Sequence, residues 1–367
     1  IIVIILGAGI YFTFKTGFFQ VFYLKHIFSE TILKTIKTGN KGEGNAKGLI
    51  TPFDAVATAI GGTVGVGNIG GVATAIAIGG PGALFWLWIA AFLGMMLKMV
   101  EVTLGVYYRE KDENGEIYGG PTYYMEKGLG KERGVKWWIV PAVIFGGGIF
   151  STFFITVQNY TVSEAVSAAY GIKIIYASII YILVNYILII GGIKKLGKIA
   201  GKIVPFMCIF YIVAALYIIA INIGNLPETI VLVFKGAFNG TAAVGGFAGA
   251  AFNQVMRIGM ARSVFSNEAG WGSSPMIHSS AQTDHPVKQG LWGAFEVFVD
   301  TIIVCTLTAL VIIITNVWQS GATGATLTLS AFETGMGLAS KIFIATGIFL
   351  FGVTTSSGWY AYYEIIL

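Results

Sequence analysis

A chain of 367 residues that is 55% hydrophobic and only 11% charged departs from the ~25% charged residues of an ordinary soluble domain, and its mean hydropathy of +0.77 marks an all-α polytopic membrane protein. The formal charge of +5 raises the question of nucleic acid, but the positive residues are spread over loops between apolar runs, where they set orientation, so no nucleic-acid partner is expected. Cys208 and Cys305 lie in apolar runs and the three histidines show no ligand spacing with them, which supports neither a disulfide nor a zinc site.

Apolar stretches of about 18 residues or more, with a shorter first one allowed, predict nine spans: 1–14, 52–78, 83–108, 137–169, 174–192, 203–222, 240–261, 290–316 and 342–367. The first run lacks a basic start and a small-residue cleavage site before Lys15, so it does not read as a cleavable signal peptide. It opens without an initiator Met, and another apolar run is still in progress at Leu367. The native polypeptide is expected to extend at both ends. Loops 15–51, 109–136, 193–202 and 262–289 carry 6, 6, 4 and 2 Lys or Arg, against 0, 1, 1 and 1 in 79–82, 170–173, 223–239 and 317–341. That alternation assigns the first set to the cytoplasmic side of a multi-pass protein of the cell membrane.

In the first loop, Phe19, Phe22, Tyr23 and Ile27 alternate with Lys25, Glu30 and Lys34, the pattern of an amphipathic helix on the cytoplasmic face, with an ordinary connector as the alternative. Loop 109–136 opens with a charged turn and runs into Gly119-Gly120-Pro121. Loop 262–289 carries Ser266-Asn267-Glu268-Ala269-Gly270-Trp271-Gly272-Ser273-Ser274-Pro275, polar enough for a structured cytoplasmic element beneath a binding site.

The span 52–78 contains Gly61, Gly62, Gly65, Gly67, Gly70 and Gly71. Each glycine weakens a helix by about 0.8–1 kcal/mol relative to Ala, roughly 5 kcal/mol together, so a broken helix is predicted. Inside a membrane such a break is tolerated where its freed backbone groups face protein, water or a ligand. With the break near 64–67, the amides of Val66 and Gly67 head the next half-helix and suit a carboxylate. The carbonyls of 61–64 suit a cation or an ammonium group. A zwitterionic amino acid satisfies both ends. The alternative is that Gly61, Gly65, Gly67 and Gly71 form small faces for close helix packing. The G-x-G-x-x-G match at 65–70 has no strand before it and no acidic residue about 20 positions on, so a dinucleotide site is set aside.

Ala59-Ile60-Gly61-Gly62-Thr63-Val64-Gly65 recurs as Ala243-Val244-Gly245-Gly246-Phe247-Ala248-Gly249, five spans later and therefore in the opposite direction. This is the pattern of an inverted-topology repeat whose paired broken helices meet near the midplane. It divides the chain into 1–51, a helix and a cytoplasmic segment; 52–222, a first five-helix repeat; and 240–367, a second repeat that lacks its last two helices, expected beyond Leu367.

Among polar side chains within spans, Gln158, with Phe154 one turn before it, is a candidate for substrate contact or for an interhelical hydrogen bond. Thr354-Thr355-Ser356-Ser357-Gly358-Trp359 sets four hydroxyls beside a bulky ring, a possible cation site unless the hydroxyls bond back to their own helix. Glu101, Glu164, Glu296, Asp300 and Glu364 read as interfacial or structurally paired carboxylates, Asp54 as a span start, and Lys202 as a positive-inside anchor. No nucleophile–base pair or metal cluster falls within a span, so an enzyme is not expected.

The 61–71 segment, Gly119-Gly120-Pro121-Thr122 and Phe265-Ser266-Asn267-Glu268-Ala269-Gly270 together resemble the alanine or glycine:cation symporter family of the amino acid–polyamine–cation superfamily, over nearly the whole chain. The resemblance implies a LeuT-type core of two inverted five-helix repeats with discontinuous helices, one extra N-terminal helix, and transport of small neutral amino acids with Na⁺ or, in some members, H⁺. It also implies a substrate site at Thr63, Gly65, Val66, Gly67 and the second break near Phe247, with Gln158, Phe247 and Trp359 as walls. The carboxylate would sit on the Val66 and Gly67 amides and the ammonium on the Thr63 carbonyl. A sodium site would use the carbonyls of Gly61, Val64 and Phe351 with the hydroxyls of Thr354 and Thr355. A second cation site would involve Thr63 and Asn68, with no partner evident in 290–316. The expectation is therefore Na⁺-coupled symport of alanine or glycine by alternating access, in a monomer that needs no protein partner. Proton coupling through Lys202 or a carboxylate is one rival and a channel the other.

Overall fold

The computed structural model describes residues 2–40, 50–111, 117–152, 154, 157–239, 252–337 and 339–366. It is mostly helical. Its first helix, α1 (Ile2–Lys15), is followed by short helical pieces over residues 19–38. Next come α2 (Pro52–Thr63), α3 (Gly67–Gly79) and α4 (Ala83–Tyr107). A two-stranded antiparallel hairpin pairs Glu110–Lys111 with Ile117–Tyr118. Helices α5 (Ile139–Thr152), α6 (Val157–Tyr170), α7 (Ile174–Ile189), α8 (Gly192–Ile221) and α9 (Leu226–Asn239) follow. The remaining helices are α10 (Phe252–Asn267), α11 (Ser273–Ser279), α12 (Pro286–Ile314), α13 (Gly324–Met336) and α14 (Ala339–Ile366).

Among the described residues, α4, α8, α12 and α14 are each long and apolar enough to cross a membrane, and α2 with α3 makes a fifth crossing bent by 48°. Where the sequence predicts spans 1–14, 137–169 and 174–192, the structure has the shorter apolar helices Ile2–Lys15, Ile139–Thr152 and Ile174–Ile189. The second copy of the glycine repeat, with Phe247, lies outside the described residues. The outer faces of α7 and α8 present Ile187 at 62%, Phe206 at 60% and Val213 at 60% exposure. Contiguous apolar faces of this kind suit a lipid solvent.

Local sequence explains the starts of the helices that matter most. Thr51 caps α2 by accepting the Asp54 N–H at 3.1 Å, and Pro52 at the first helical position has no N–H to satisfy. His285 and Pro286 repeat this at α12, with His285 Nδ1 accepting the Val287 N–H. The core holds Val56, Ile60, Ile76, Leu84, Val204, Tyr211, Phe332 and Phe351, all buried, so the bent α2–α3 pair runs through its middle.

The segment 19–38 buries Ile27 and Thr31 and stands Phe28 edge-on to Phe295 at 5.6 Å and to Phe298 at 5.1 Å. Its Phe22 remains 75% exposed and Ile36 72%. One side of the segment thus packs on α12, while its uncovered residues mix apolar Phe22, Tyr23 and Ile36 with Lys25 and Lys37. Lys202 is exposed.

Candidate functional site

Helix α2 ends at Thr63 because Val64 leaves helical geometry, with φ −75° and ψ 98°. Its carbonyl thereby leaves the helical ladder, and the next turn restarts at Gly67. The break also has a packing cause. A β-carbon on Gly61 would lie 3.0 Å from Val204 Cγ2, one on Gly62 2.8 Å from the Tyr362 hydroxyl, and one on Gly65 would collide with Thr355 Oγ1. The glycines therefore do two jobs. They weaken the helix and admit α14 to its backbone, so both readings of the 61–71 segment hold for part of it.

Around this break lies a cavity of about 330 Å³ bordered by Thr63, Gly65, Val66 and Gly67, by Thr152 and Gln158, by Phe265, Glu268 and Trp271, and by Thr355, Trp359 and Tyr363. Val66 and Gly67 are half-buried on it and head a helix whose first-turn amides have no carbonyl one turn earlier to bond. The Gly65 N–H is already spent on Asn68 Oδ1 at 2.8 Å. Gln158 is half-buried on the same cavity, and among the described residues it makes no interhelical hydrogen bond. Among the described residues, the Trp359 indole N–H is buried without a partner. An orphaned buried donor is costly unless a ligand or water accepts from it. Tyr363 Oη and Thr152 Oγ1 stand 3.0 Å apart and tie α14 to α5 along the wall.

Four of the five residues expected to hold sodium, Gly61, Phe351, Thr354 and Thr355, meet where α2 packs on α14. Thr355 Oγ1 donates to the Gly61 carbonyl at 3.1 Å and lies 2.9 Å from the Phe351 carbonyl. Thr354 Oγ1 is 3.0 Å from that same Phe351 oxygen. Val64, at the end of α2, is fully buried. Carbonyl and hydroxyl oxygens at the C-terminal end of a half-helix are the donor chemistry a small hard cation requires, so the residue types present fit Na⁺, while the Thr354 and Thr355 hydroxyls here bond back to the Leu350 and Phe351 carbonyls of their own helix.

The pair suggested for a second cation is otherwise engaged. Thr63 Oγ1 bonds back to the Ala59 carbonyl at 3.2 Å. Asn68 Nδ2 donates to Asp300 Oδ1 at 2.6 Å, which supplies the contact from 290–316 that the sequence did not reveal. Ser266 at 3.0 Å and Thr301 at 2.7 Å donate to the other Asp300 oxygen.

A second helix interruption lies between α10 and α11, at residues 268–272. Glu268, Gly270 and Gly272 all have positive φ, of 52°, 83° and 76°. For glutamate that conformation costs about 1–2 kcal/mol. The turn is pinned by Glu101 of α4, whose two carboxylate oxygens accept the N–H groups of Gly270 at 3.3 Å and Gly272 at 3.2 Å. Beyond it, Lys98 of α4 is wholly buried, with Nζ 2.7 Å from Ser274 Oγ, 3.4 Å from Glu296 and 3.7 Å from Glu101. Glu296 continues to His278 at 3.2 Å, and His278 to Gln289 at 2.7 Å. Arg109 donates to the carbonyls of Ser279 at 3.0 Å and Ala281 at 2.7 Å, capping α11 with a cation at its negative end.

The sequence reading put residues 266–275 in a structured cytoplasmic element beneath the site. The structure brings Phe265, Glu268 and Trp271 onto the cavity itself. The missed signal was two glycines, Gly270 and Gly272, in a polar run directly after an apolar stretch, a sparser form of the mark that gave away the first break. Lys98 was missed because one lysine does not interrupt a 25-residue apolar helix in a hydropathy count.

A cavity at a helix break, inside a bundle of apolar helices, with an oxygen cluster at the end of one half-helix, is the arrangement of a membrane transporter. The sodium:alanine symporter family matches residues 1–367, and the chain belongs to that family. It is 40% identical over 369 residues to the sodium/alanine symporter AgcS of Methanococcus maripaludis, covering 99% of this chain and 79% of that protein. It is 39% identical over 373 residues to an uncharacterized transporter of Haemophilus influenzae, covering 99% and 78%. It is 40% identical over 366 residues to the probable sodium/glutamine symporter GlnT of Bacillus subtilis, covering 99% and 73%. The chain is accordingly a sodium-coupled amino-acid symporter with several membrane-spanning helices.

Proposed function

We infer that the transported solute is a small neutral amino acid, alanine or glycine, and that Na⁺ running down its gradient drives its uptake by alternating access at the cell membrane. The carboxylate would rest on the Val66 and Gly67 amides, next to Thr63 and Gly65, with Gln158 and Trp359 as walls. Sodium would lie among the Gly61, Val64 and Phe351 carbonyls and the Thr354 and Thr355 hydroxyls. The observation that carries this reading is the contact of Thr355 Oγ1 with the Gly61 carbonyl at 3.1 Å, four residues from the Gly65 edge of the cavity. A cation there would fix the C-terminal end of α2 and, through it, the amide-bearing turn that follows. Two ligands that each require the same ordered break raise one another's affinity by the same factor. This is a physical basis for coupling. The cavity of about 330 Å³ is roomy for alanine, so Trp359 and water would limit the side chain rather than the backbone turn.

The test is calorimetric binding of L-alanine to the full-length protein with Na⁺ and with choline in its place. Affinity seen only with Na⁺, and Na⁺ affinity raised by alanine to the same degree, supports the reading. Equal alanine affinity in the two salts removes the sodium role, and binding of no small neutral amino acid removes the substrate.

A further inference from the structure

Glu268 borders the cavity and is 5% exposed. One of its oxygens, Oε2, accepts the Ser273 hydroxyl. Among the described residues, no donor reaches the other oxygen and no cation lies within ion-pair distance of this carboxylate. The groups around it are Lys98 and Glu101 on α4, His278 on α11, Glu296 and Asp300 on α12, and Tyr362 and Tyr363 on α14. Lys98 is the one nearby lysine, and its ammonium is shared between Glu296 and Glu101 at 3.4 and 3.7 Å. Asp300 is satisfied by Asn68, Ser266 and Thr301. The cluster thus has more carboxylates than cations, and the one left over faces the cavity.

A buried carboxylate without a counter-cation favours its neutral acid form. A ligand that brings its own positive charge reverses that preference. The same cavity is bordered by Val66 and Gly67, whose amides are fit for a negative group. A zwitterion with its carboxylate on those amides has its ammonium left to meet the other charged group on the cavity, Glu268. The geometry points to Glu268 as the acceptor of the substrate's ammonium group, with the carboxylic proton released to water as the ion pair forms. This rests on the substrate reading above. In the exchange the O–H bond of the acid breaks, its electron pair stays on the carboxylate, the proton leaves through the cavity, and the substrate ammonium keeps all its protons. Proton and amino acid then compete for one oxygen, so affinity for alanine falls as pH falls, by up to tenfold per pH unit where Glu268 is protonated in the empty site. Sodium does not enter this competition, because its oxygens are on α2 and α14.

The experiment is calorimetry of L-alanine binding to the full-length protein at saturating Na⁺, from pH 6 to pH 9, in two buffers of different ionisation enthalpy. Release of up to one proton per alanine, together with tightening as pH rises, is the expected result. Glu268→Gln should bind about thirtyfold or more weakly at high pH, with no proton release and a flat pH profile, while Glu268→Asp should keep the release. Alanine binding by the wild type without proton release, or proton release that persists in Glu268→Gln, overturns the assignment and leaves the transport reading standing. Absence of wild-type alanine binding overturns both. The wild-type proton count stands even if a variant folds poorly.

Discussion

Lys98 Nζ lies 2.7 Å from Ser274 Oγ, so a lysine in the middle of one long apolar helix is held by the short helix that follows the second interruption. The same contact brings α11 against α4 and stations Glu268 at the cavity. The cavity therefore has two broken elements on its border, α2–α3 with amides and carbonyls, and α10–α11 with a carboxylate.

Replacing Thr355 by Val keeps the side-chain shape and removes the oxygen that bridges Gly61 and Phe351 at 3.1 and 2.9 Å. A hydrogen-bonding group at a charged ligand contributes about 1.5–3 kcal/mol. The Na⁺ concentration for half-maximal alanine uptake should accordingly rise by about tenfold or more, while uptake at saturating Na⁺ recovers. Uptake into vesicles over a range of Na⁺ at constant ionic strength measures this. An unchanged half-saturation would place the ion elsewhere.

Trp359 tests the other wall. Its indole N–H is buried and, among the described residues, without a partner, so Trp359→Phe retains the ring and loses the donor. If the donor meets the bound amino acid, alanine affinity should fall by about three- to tenfold, the effect of one ordinary hydrogen bond. Trp359→Ala should do something different, admitting larger side chains such as glutamine at the expense of alanine. Competition of unlabelled amino acids against labelled alanine separates the two effects.

Asn68 is committed to structure on both sides of its amide, accepting from Gly65 at 2.8 Å and donating to Asp300 at 2.6 Å. Asn68→Asp would set two buried carboxylates against each other and should lower the melting temperature of the detergent-solubilised protein more than Asn68→Leu, which leaves unsatisfied groups at about 1–3 kcal/mol each. If Asn68→Asp instead gained Na⁺ affinity with no loss of stability, the amide would be a cation ligand rather than a strut.

The first break was legible because glycine acts locally: six in eleven residues lower helix propensity whatever surrounds them. The meeting of Gly61 with Thr354 and Thr355 was reachable only by resemblance, since no local pattern tells which face of α14 turns toward α2. The interruption at 268–272 was not read as one. Residues 266–275 are polar, and polarity next to an apolar run reads as a structured element outside the spans. What makes them interior is that Lys98, Glu101 and Asp300, far away in the chain, satisfy them one by one. Pairwise satisfaction of buried polar groups leaves no trace in hydropathy, and Lys98 shows this most plainly.

The Lys98 network should be the most sensitive to single substitution. Removing one member of a buried ion pair leaves the other charge uncompensated and costs about 3–5 kcal/mol, whereas replacing both with apolar residues of similar volume is often neutral. Lys98→Met should therefore destabilise strongly, because Glu296 at 3.4 Å and Glu101 at 3.7 Å both lose their cation. Glu296→Gln should cost less, since Lys98 keeps Glu101 and Ser274. The double variant Lys98→Met with Glu296→Gln should recover part of the loss, giving a coupling energy of about 1–3 kcal/mol in a double-mutant cycle. Thermal unfolding in one detergent, with sodium and alanine absent, isolates this structural effect from ligand binding. Additive losses would mean that Lys98 and Glu296 act on the fold independently, and that the chain from Ser274 to His278 is held by its hydroxyl and imidazole contacts alone.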